Sequence, residues 1–118
     1  MSGRKVKSIL TEYMSISAFS QRAAECIHHL VFGSGKRELA DKDGLILPLT
    51  NDEHNMGQIC DRIHGNPAAE KLSKMLGQVA WESCYLAKKL AEVTGDSVSD
   101  LMSEAREAFR KRYGQSYL

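Results

Sequence analysis

Cysteine is scarce in this sequence of 118 residues, and the three that occur, Cys26, Cys60 and Cys84, lie far apart. The sequence contains no Cys-x-x-Cys pair, which excludes a disulfide framework and a zinc knuckle built from cysteines alone. Such cysteine usage is typical of a reducing compartment. We therefore expect a cytoplasmic protein.

Long hydrophobic runs are also missing. The apolar runs at residues 30–32 and 45–47 are far shorter than the ~20 residues that a membrane-spanning helix needs. The basic residues near the N-terminus are not followed by the apolar segment of a signal peptide. The sequence predicts no membrane association and no export.

An excess of charge of one sign is absent too. Sixteen Lys and Arg residues face fifteen Asp and Glu residues, which gives a formal net charge of +1. No global field would attract nucleic acid or anionic lipid, so any binding of a polyanion depends on local patches. With 42% apolar residues, a chain of this length can bury a core as one domain over residues 1–118 without metal or disulfides.

The turn signals divide the chain into a β-rich part and a helical part. Residues 26–32 and 45–49 are apolar and β-prone, and we expect two strands joined by a polar loop of about ten residues. The capping residues Thr50, Asn51 and Asp52 then predict a helix from about Asp52 or Glu53 toward Ile63. The spacing of apolar residues before the first strand predicts no clear element.

Two longer helices follow. Asn66-Pro67 is a strong helix start, and the helix is expected over about residues 67–93, with Gly95 as its cap. The last helix is expected over about residues 98–113, ending at Gly114. Apolar residues recur at helical spacing in the first (Leu72, Met75, Leu76, Val79, Leu86 and Leu90), and those expected to be buried in the second are Leu101, Met102, Ala105 and Phe109. The pattern predicts an α+β domain that is mostly helical.

All four histidines fall within fewer than forty residues. His28 and His29 lie on the first predicted strand, where adjacent side chains point to opposite faces, so one can bind a metal while the other acts on a substrate. His54, after the second strand, would lie near one of them. His64 is a weaker candidate, and a zinc site of Cys60, His64 and His54 is an alternative. The histidines are equally consistent with ordinary core or surface residues.

Gly33-Ser34-Gly35-Lys36 is similar to part of a phosphate-binding loop, but Arg37 stands where a P-loop needs Ser or Thr. A nucleotide-binding P-loop is therefore excluded. Lys36 and Arg37 remain candidate contacts to a phosphate backbone, as do the basic N-terminus and residues 110–112. Each of these runs is also compatible with a solvated surface.

Short motifs follow one another along the chain: His28-His29-Leu30-Val31-Phe32-Gly33, Lys36-Arg37, Ala40-Asp41, Asp43-Gly44-Leu45, residues 49–55, Ile63-His64-Gly65-Asn66-Pro67, Gly77-Gln78-Val79-Ala80-Trp81-Glu82, Tyr113-Gly114 and Tyr117-Leu118. In this order they resemble phage-type HNH endonucleases. The likeness covers about residues 26–86 and the last ten residues, with an inserted helical stretch between them.

The resemblance implies a ββα-metal fold, with an HNH-like core over about residues 26–65 and a helical part over 66–118. It further implies a phage- or prophage-encoded endonuclease that hydrolyses DNA with one divalent ion (Mg, Mn, Zn or Ni). By this likeness His28, His54 and His64 are metal ligands and His29 is the general base. Lys36 and Arg37 are the expected DNA contacts.

The sequence departs from the HNH pattern in two places. Residues 14–20 contain no cysteine, and Thr50 and Glu53 occupy the second zinc-knuckle position, so we expect no structural zinc. The central asparagine of the motif is not evident, because Asp43 or Gly44 stands in that region. These departures leave two alternatives: an inactive HNH relative that acts as a DNA- or protein-binding accessory or inhibitor, and a small structural domain whose histidines bind nothing.

Overall fold

The chain folds into an α+β domain in which a two-stranded antiparallel hairpin is followed by helices. The computed structural model describes residues 7–92 and 97–118. The predicted fold class, α+β and mostly helical, is confirmed. Its helices and strands are β1 (Cys26–His29), α1 (Lys36–Asp43), β2 (Ile46–Leu49), α2 (Pro67–Ala91) and α3 (Val98–Tyr113).

The hairpin pairs Cys26 with Leu49 and His29 with Ile46. The first strand was expected to extend to residue 32, but it ends at His29. Leu30 and Val31 instead turn into the core and are buried, although the Leu30 amide still donates to the Leu45 carbonyl. Core packing thus ends the strand earlier than its β-prone residues indicate.

The connection between the strands contains a helix, so the expected polar loop of about ten residues is wrong. Helix α1 lies between Gly35 and Gly44, which both adopt left-handed backbone conformations at its ends. Its eight residues are mostly charged, and Ala40 is its one buried residue. So short and polar a helix leaves almost no apolar periodicity to recognise.

The single helix expected from Asp52 toward Ile63 is also wrong. A π-helical turn over Asp52–Met56 and a 3₁₀ turn over Ile59–Asp61 take its place. Gly57 separates them: its amide donates to the Asp52 carbonyl at 3.0 Å, and its own backbone is extended. The wide turn and the break keep this segment irregular.

A hydrogen-bond network at Glu53 joins this turn to the N-terminal segment. Glu53 Oε1 accepts from the Thr50 amide at 2.9 Å and from the Ser17 hydroxyl at 2.5 Å, while Thr50 Oγ1 accepts from the Glu53 amide. Burial would raise the pKa of Glu53, but hydrogen bonds from Ser17, Thr50 and Ser20 lower it to about 2. These residues therefore cross-link two loops through a carboxylate.

Helix α2 begins as predicted, because Asn66 accepts from the Ala69 amide and Pro67 is the first helical residue. It ends at Ala91, and the expected cap Gly95 lies outside the described residues. Its inward side is not the apolar stripe that the spacing indicates. The residues it buries are Ser73, Gly77, Gln78 and Glu82, whereas Leu72, Leu76, Val79 and Leu90 are exposed.

Gly77 lets α2 approach the end of β1 closely. A side-chain carbon at this position would lie 2.9 Å from Val31 Cγ2 and 3.1 Å from Leu30 Cβ. The helix therefore lies close to the residues that follow β1, and the nearby Ser73 contacts His28 on that strand.

Helix α3 completes the core. Leu101, Ala105 and Phe109 are buried as expected, but Met102 is exposed, which corrects that prediction. Asp43, at the end of α1, accepts from Trp81, Arg112 and Tyr113 and so links α1 to both long helices. No helix within the described ranges has the length and apolar character needed to cross a membrane.

Candidate metal centre

Strand β1 directs its two histidines to opposite sides. His28 is fully buried and lies against the helices, while the side chain of His29 is 24% exposed. Pairing with β2 fixes this arrangement, because His28 and His29 face Leu47 and Ile46 in the register. The strand alternation expected from the sequence is therefore present.

Backbone hydrogen bonds hold His54 and His64 side by side. The His64 amide donates to the His54 carbonyl at 2.9 Å, and the Ile63 amide donates to the Glu53 carbonyl at 2.9 Å. The Arg62 side chain donates to the carbonyls of Gly57 and His64 and fixes the connection between the two turns. The two histidines, ten positions apart in sequence, thus share one face of the loop region.

His28, His54 and His64 form a cluster, which we call the histidine triad. One ring nitrogen from each lies within 4.8 Å of the other two, and the ring centroids are 4.7 to 5.2 Å apart. Nitrogen ligands lie about 2.0–2.1 Å from zinc, so binding one ion would draw the widest pair somewhat closer. Three imidazoles around one point form a possible divalent metal site.

The hydrogen bonds of His28 determine which of its nitrogens is free. Ser73 Oγ donates its single proton to the Leu30 carbonyl at 2.8 Å, so it accepts from His28 Nε2 at 2.8 Å. His28 Nδ1 is then unprotonated, and it is buried without a hydrogen-bond partner among the described residues. A buried lone pair without a partner is costly in a folded protein. A metal ion would satisfy it.

His28 and His54 are held in their neutral forms. Burial lowers the pKa of His28 to about 3, with further lowering by the neighbouring His54 and His64. Burial likewise lowers the pKa of His54, helped by His64 and Arg37. Neutral imidazoles offer lone pairs to a cation without first losing a proton.

Glu70 on α2 lies behind His64. Its Oε2 is 3.4 Å from His64 Nδ1 and accepts from the Gly65 amide. A carboxylate next to Nδ1 favours the proton on that nitrogen, which leaves Nε2 as the free donor atom. Ser73 and Glu70 are thus the supporting residues of the triad, both supplied by the first turns of α2.

His29 forms a separate pair with Asp41 of α1. The distance from His29 Nε2 to Asp41 Oδ1 is 2.8 Å. Because the carboxylate only accepts, Nε2 carries the proton and Nδ1 has the lone pair. This arrangement suits a general base, which needs a fixed ring and a free nitrogen.

Two members of the triad, His54 and His64, line one cleft of about 320 Å³ together with His29, whereas His28 is buried and does not line it. The residues that line the cleft are Ile27, His29, Phe32, Arg37, His54, Asn55 and His64. Arg37 thus places a permanent positive charge in the cleft. Lys36 lies elsewhere: its ammonium is 5.8 Å from the centre of the Tyr117 ring.

The structure brings some of the site residues predicted from the sequence together and leaves others apart. It brings His28, His54 and His64 together and sets His29 and Arg37 beside them. Cys60, the thiol of the alternative zinc site, is exposed and does not belong to the cluster formed by the described residues.

Three supporting residues were missed in the sequence. Asp41 lies on the helix that was not expected, so nothing placed it near His29. Glu70 and Ser73 could have been found, because they lie three residues apart on the predicted helix after Asn66 and so share a face.

The chain has no match among the protein-family models, curated proteins or solved structures with which it was compared. The function is therefore inferred from the site itself.

Proposed function

We propose that the chain is a metal-dependent endonuclease of the HNH type that hydrolyses phosphodiester bonds in DNA, encoded by a phage or prophage. The observation that supports this most is that His29, which is bonded to Asp41, lines the same cleft as His54 and His64 of the histidine triad. Phosphodiester hydrolysis needs a cation near the phosphate and a base near the attacking water. One cleft offers residues for both.

His28, His54 and His64 would hold one divalent ion. The orphaned Nδ1 of His28 fits this role best, because its other nitrogen is already used by Ser73. An all-imidazole set favours zinc or nickel over magnesium or manganese, which prefer oxygen ligands. When bound, the ion supplies Lewis-acid stabilisation for the charge that develops on the phosphate.

His29 is the proposed general base. Its Nδ1 takes the proton of the attacking water, while Asp41 holds the ring through Nε2 and stabilises the imidazolium that forms. Asp41 thereby supplies the orienting acceptor expected from the missing asparagine of the motif. Asp43 does not serve this purpose, because Trp81, Arg112 and Tyr113 occupy its oxygens.

Arg37 is the proposed phosphate contact. It lines the same cleft as His29 and His54, and a guanidinium can bind two phosphate oxygens at once. Lys36, one residue before Arg37 at the start of α1, would contact a phosphate further along the DNA strand. Such contacts position DNA without reading its sequence.

The test is cleavage of supercoiled plasmid and single-stranded DNA with Mg²⁺, Mn²⁺, Zn²⁺ or Ni²⁺. We expect the wild type to cut with at least one metal, His29→Ala to bind metal without cutting, and His54→Ala to lose both properties. Glu38→Gln, on the exposed side of α1, is the control and should cut normally. A wild type that binds metal and DNA but cuts neither substrate would instead be the inactive relative.

A further inference from the structure

Helix α2 buries its polar side and exposes its apolar side, which is the reverse of an ordinary surface helix. Its buried residues, Ser73, Gly77, Gln78 and Glu82, are polar or small. The buried polar side chains have hydrogen-bond partners. Gln78 bonds Glu82, Ser116 and the Tyr117 amide, and Arg106 donates to Glu82. The domain therefore uses the polar side of α2 for its own packing.

The opposite side of α2 is apolar and faces solvent. Leu72 is 63% exposed, Leu76 44%, Val79 48% and Leu90 56%. The α2 stripe, as we call this face, consists of Ala69, Leu72, Leu76, Val79, Ser83, Leu86 and Leu90. It contains no charged residue along a helix of 25 residues, which spans about 37 Å. Monomeric proteins rarely expose so long an apolar face.

The spacing of the α2 stripe indicates the kind of partner. Its members follow one another at intervals of three, four, three, four, three and four residues. This alternation is the heptad pattern by which two helices pack along a shared seam. The expected occupant is another α-helix that bears a matching apolar seam.

We propose that this occupant is α2 of a second copy of the chain, packed antiparallel about a two-fold axis. In the register that places Leu76 opposite Val79 of the second copy, Leu72 faces Ser83 and Leu86 faces Ala69. The Leu72–Ser83 and Leu86–Ala69 pairs each place a large side chain against a small one. The two-fold axis makes every pair occur twice. Antiparallel helices also align their dipoles favourably.

Charge is compatible with self-pairing. The lysines of α2, at positions 71, 74, 88 and 89, all lie outside the α2 stripe. Two copies can therefore meet along the stripe without bringing like charges together in the seam. A partner chosen by charge would need complementary groups that the stripe does not offer.

A groove beside the stripe supports the same arrangement. It has a volume of about 290 Å³, and Phe19, Ile63, Ala69, Leu72 and Leu76 are among the residues that line it. Phe19 is 58% exposed and extends the apolar surface. The antiparallel register brings Leu86 and Leu90 of the second copy to this end of α2, where the groove can receive them.

The paired surface is separate from the histidine triad. Ser73, Glu70 and Lys74 point from the other side of α2 toward His28, His64 and Phe32. None of the residues of the α2 stripe lines the cleft next to the histidine triad, although Ser73 also lines the groove beside the stripe. The dimer thus does not depend on the proposed nuclease activity, and either can fail alone.

Sedimentation equilibrium of the full chain tests the dimer. We expect the wild type to have twice the chain mass of 13.1 kDa and Leu76→Lys to have the mass of one chain, with the dissociation constant raised at least a hundredfold. Met102→Lys replaces an exposed apolar residue of α3 and should remain dimeric. Circular dichroism checks folding, and Val79→Lys serves as a second variant if Leu76→Lys unfolds. A wild type that stays monomeric at 200 µM, or a folded Leu76→Lys that stays dimeric, would overturn the proposal.

Cross-linking tests the orientation. In a background with Cys26, Cys60 and Cys84 replaced by Ser, a mixture of Leu72→Cys chains and Ser83→Cys chains should form a mixed disulfide dimer on mild oxidation. Ser83→Cys alone should not, because in the antiparallel register the two Ser83 positions are far apart. Efficient cross-linking of Ser83→Cys alone would show a parallel pair and contradict the proposed register.

Discussion

At the scale of single residues, hydrogen-bond partners decide which ring nitrogens can react. His28 Nε2 donates a hydrogen bond to Ser73 Oγ, and His29 Nε2 donates one to Asp41 Oδ1. The result is two neighbouring histidines with their Nδ1 lone pairs free, one buried and one open to the cleft. Because His28 is buried and His29 is not, we assign His28 to metal binding and His29 to proton transfer.

Ser73→Ala should weaken metal binding by about 10- to 100-fold, because supporting partners of metal ligands typically contribute this much. Without the serine oxygen, His28 loses the acceptor that fixes its tautomer. Isothermal titration with Zn²⁺ or Ni²⁺ measures the change. Ser103→Ala, an exposed serine of α3, is the matched control. Equal affinities for Ser73→Ala and the wild type would remove Ser73 from the site.

Asp41→Asn should lower the DNA cleavage rate by roughly 10²- to 10⁴-fold while metal affinity stays within about twofold. An amide can donate to Nε2 and so favour the wrong tautomer of His29. Single-turnover cleavage at saturating metal measures the rate, with Glu38→Gln on the same helix as the control. A parallel loss of metal binding would place Asp41 in the metal site rather than behind the base.

At the scale of elements, the Glu53 network cross-links the loop that contains Ser17 to the turn after β2. Ser17 and Ser20 lie three residues apart, as do Thr50 and Glu53. The pKa of Glu53, about 2 in the folded chain, lies below its ordinary value of 4.5. The contribution of this carboxylate to stability is therefore fully present above the ordinary pKa and is lost as the pH falls toward 2.

Glu53→Gln should lower the free energy of unfolding by about 1–2 kcal/mol at pH 6, because charged hydrogen bonds are replaced by neutral ones. Urea denaturation of the metal-free protein measures this, and Asp52→Asn, an exposed neighbour, is the control. The gap between wild type and Glu53→Gln should narrow as the pH is lowered from 6 to 3. A gap that is constant over this range would mean that ionisation of Glu53 does not contribute.

The elements that the sequence predicts well are those with strong local signals. Asn66-Pro67 identifies the start of α2, and Gly114 identifies the end of α3. Helix α1 was missed because its charged residues leave little apolar pattern, and its ends are set by two left-handed glycines. The buried side of α2 was misjudged because apolar spacing shows that a helix has two faces, but not which face the rest of the chain covers.

At the scale of the whole molecule, three separate segments converge on one point. β1 supplies His28, the π-helical turn supplies His54, and the turn before α2 supplies His64. The clustering of histidines in the sequence indicates a site, but their distances depend on tertiary contacts such as the one between His28 on β1 and Ser73 on α2. Gly77, which allows α2 to lie close to Leu30 and Val31, gives no sign of this role in the sequence alone.

Metal should stabilise the fold as a whole, because the triad exists only when these segments are assembled. At a free Zn²⁺ concentration of 100 times the dissociation constant, the free energy of unfolding should rise by about 2.7 kcal/mol. Thermal unfolding with and without metal measures the shift, and His54→Ala should show almost none. An equal shift in His54→Ala would assign the stabilisation to another site.

The most direct test of the metal centre is anomalous diffraction from crystals of the protein grown with zinc, recorded at the zinc absorption edge. We expect one strong peak per chain, from an ion bonded to His28 Nδ1 and to a ring nitrogen from each of His54 and His64. An empty triad, or an ion bonded to Cys60 instead of His28, would contradict the proposed metal centre.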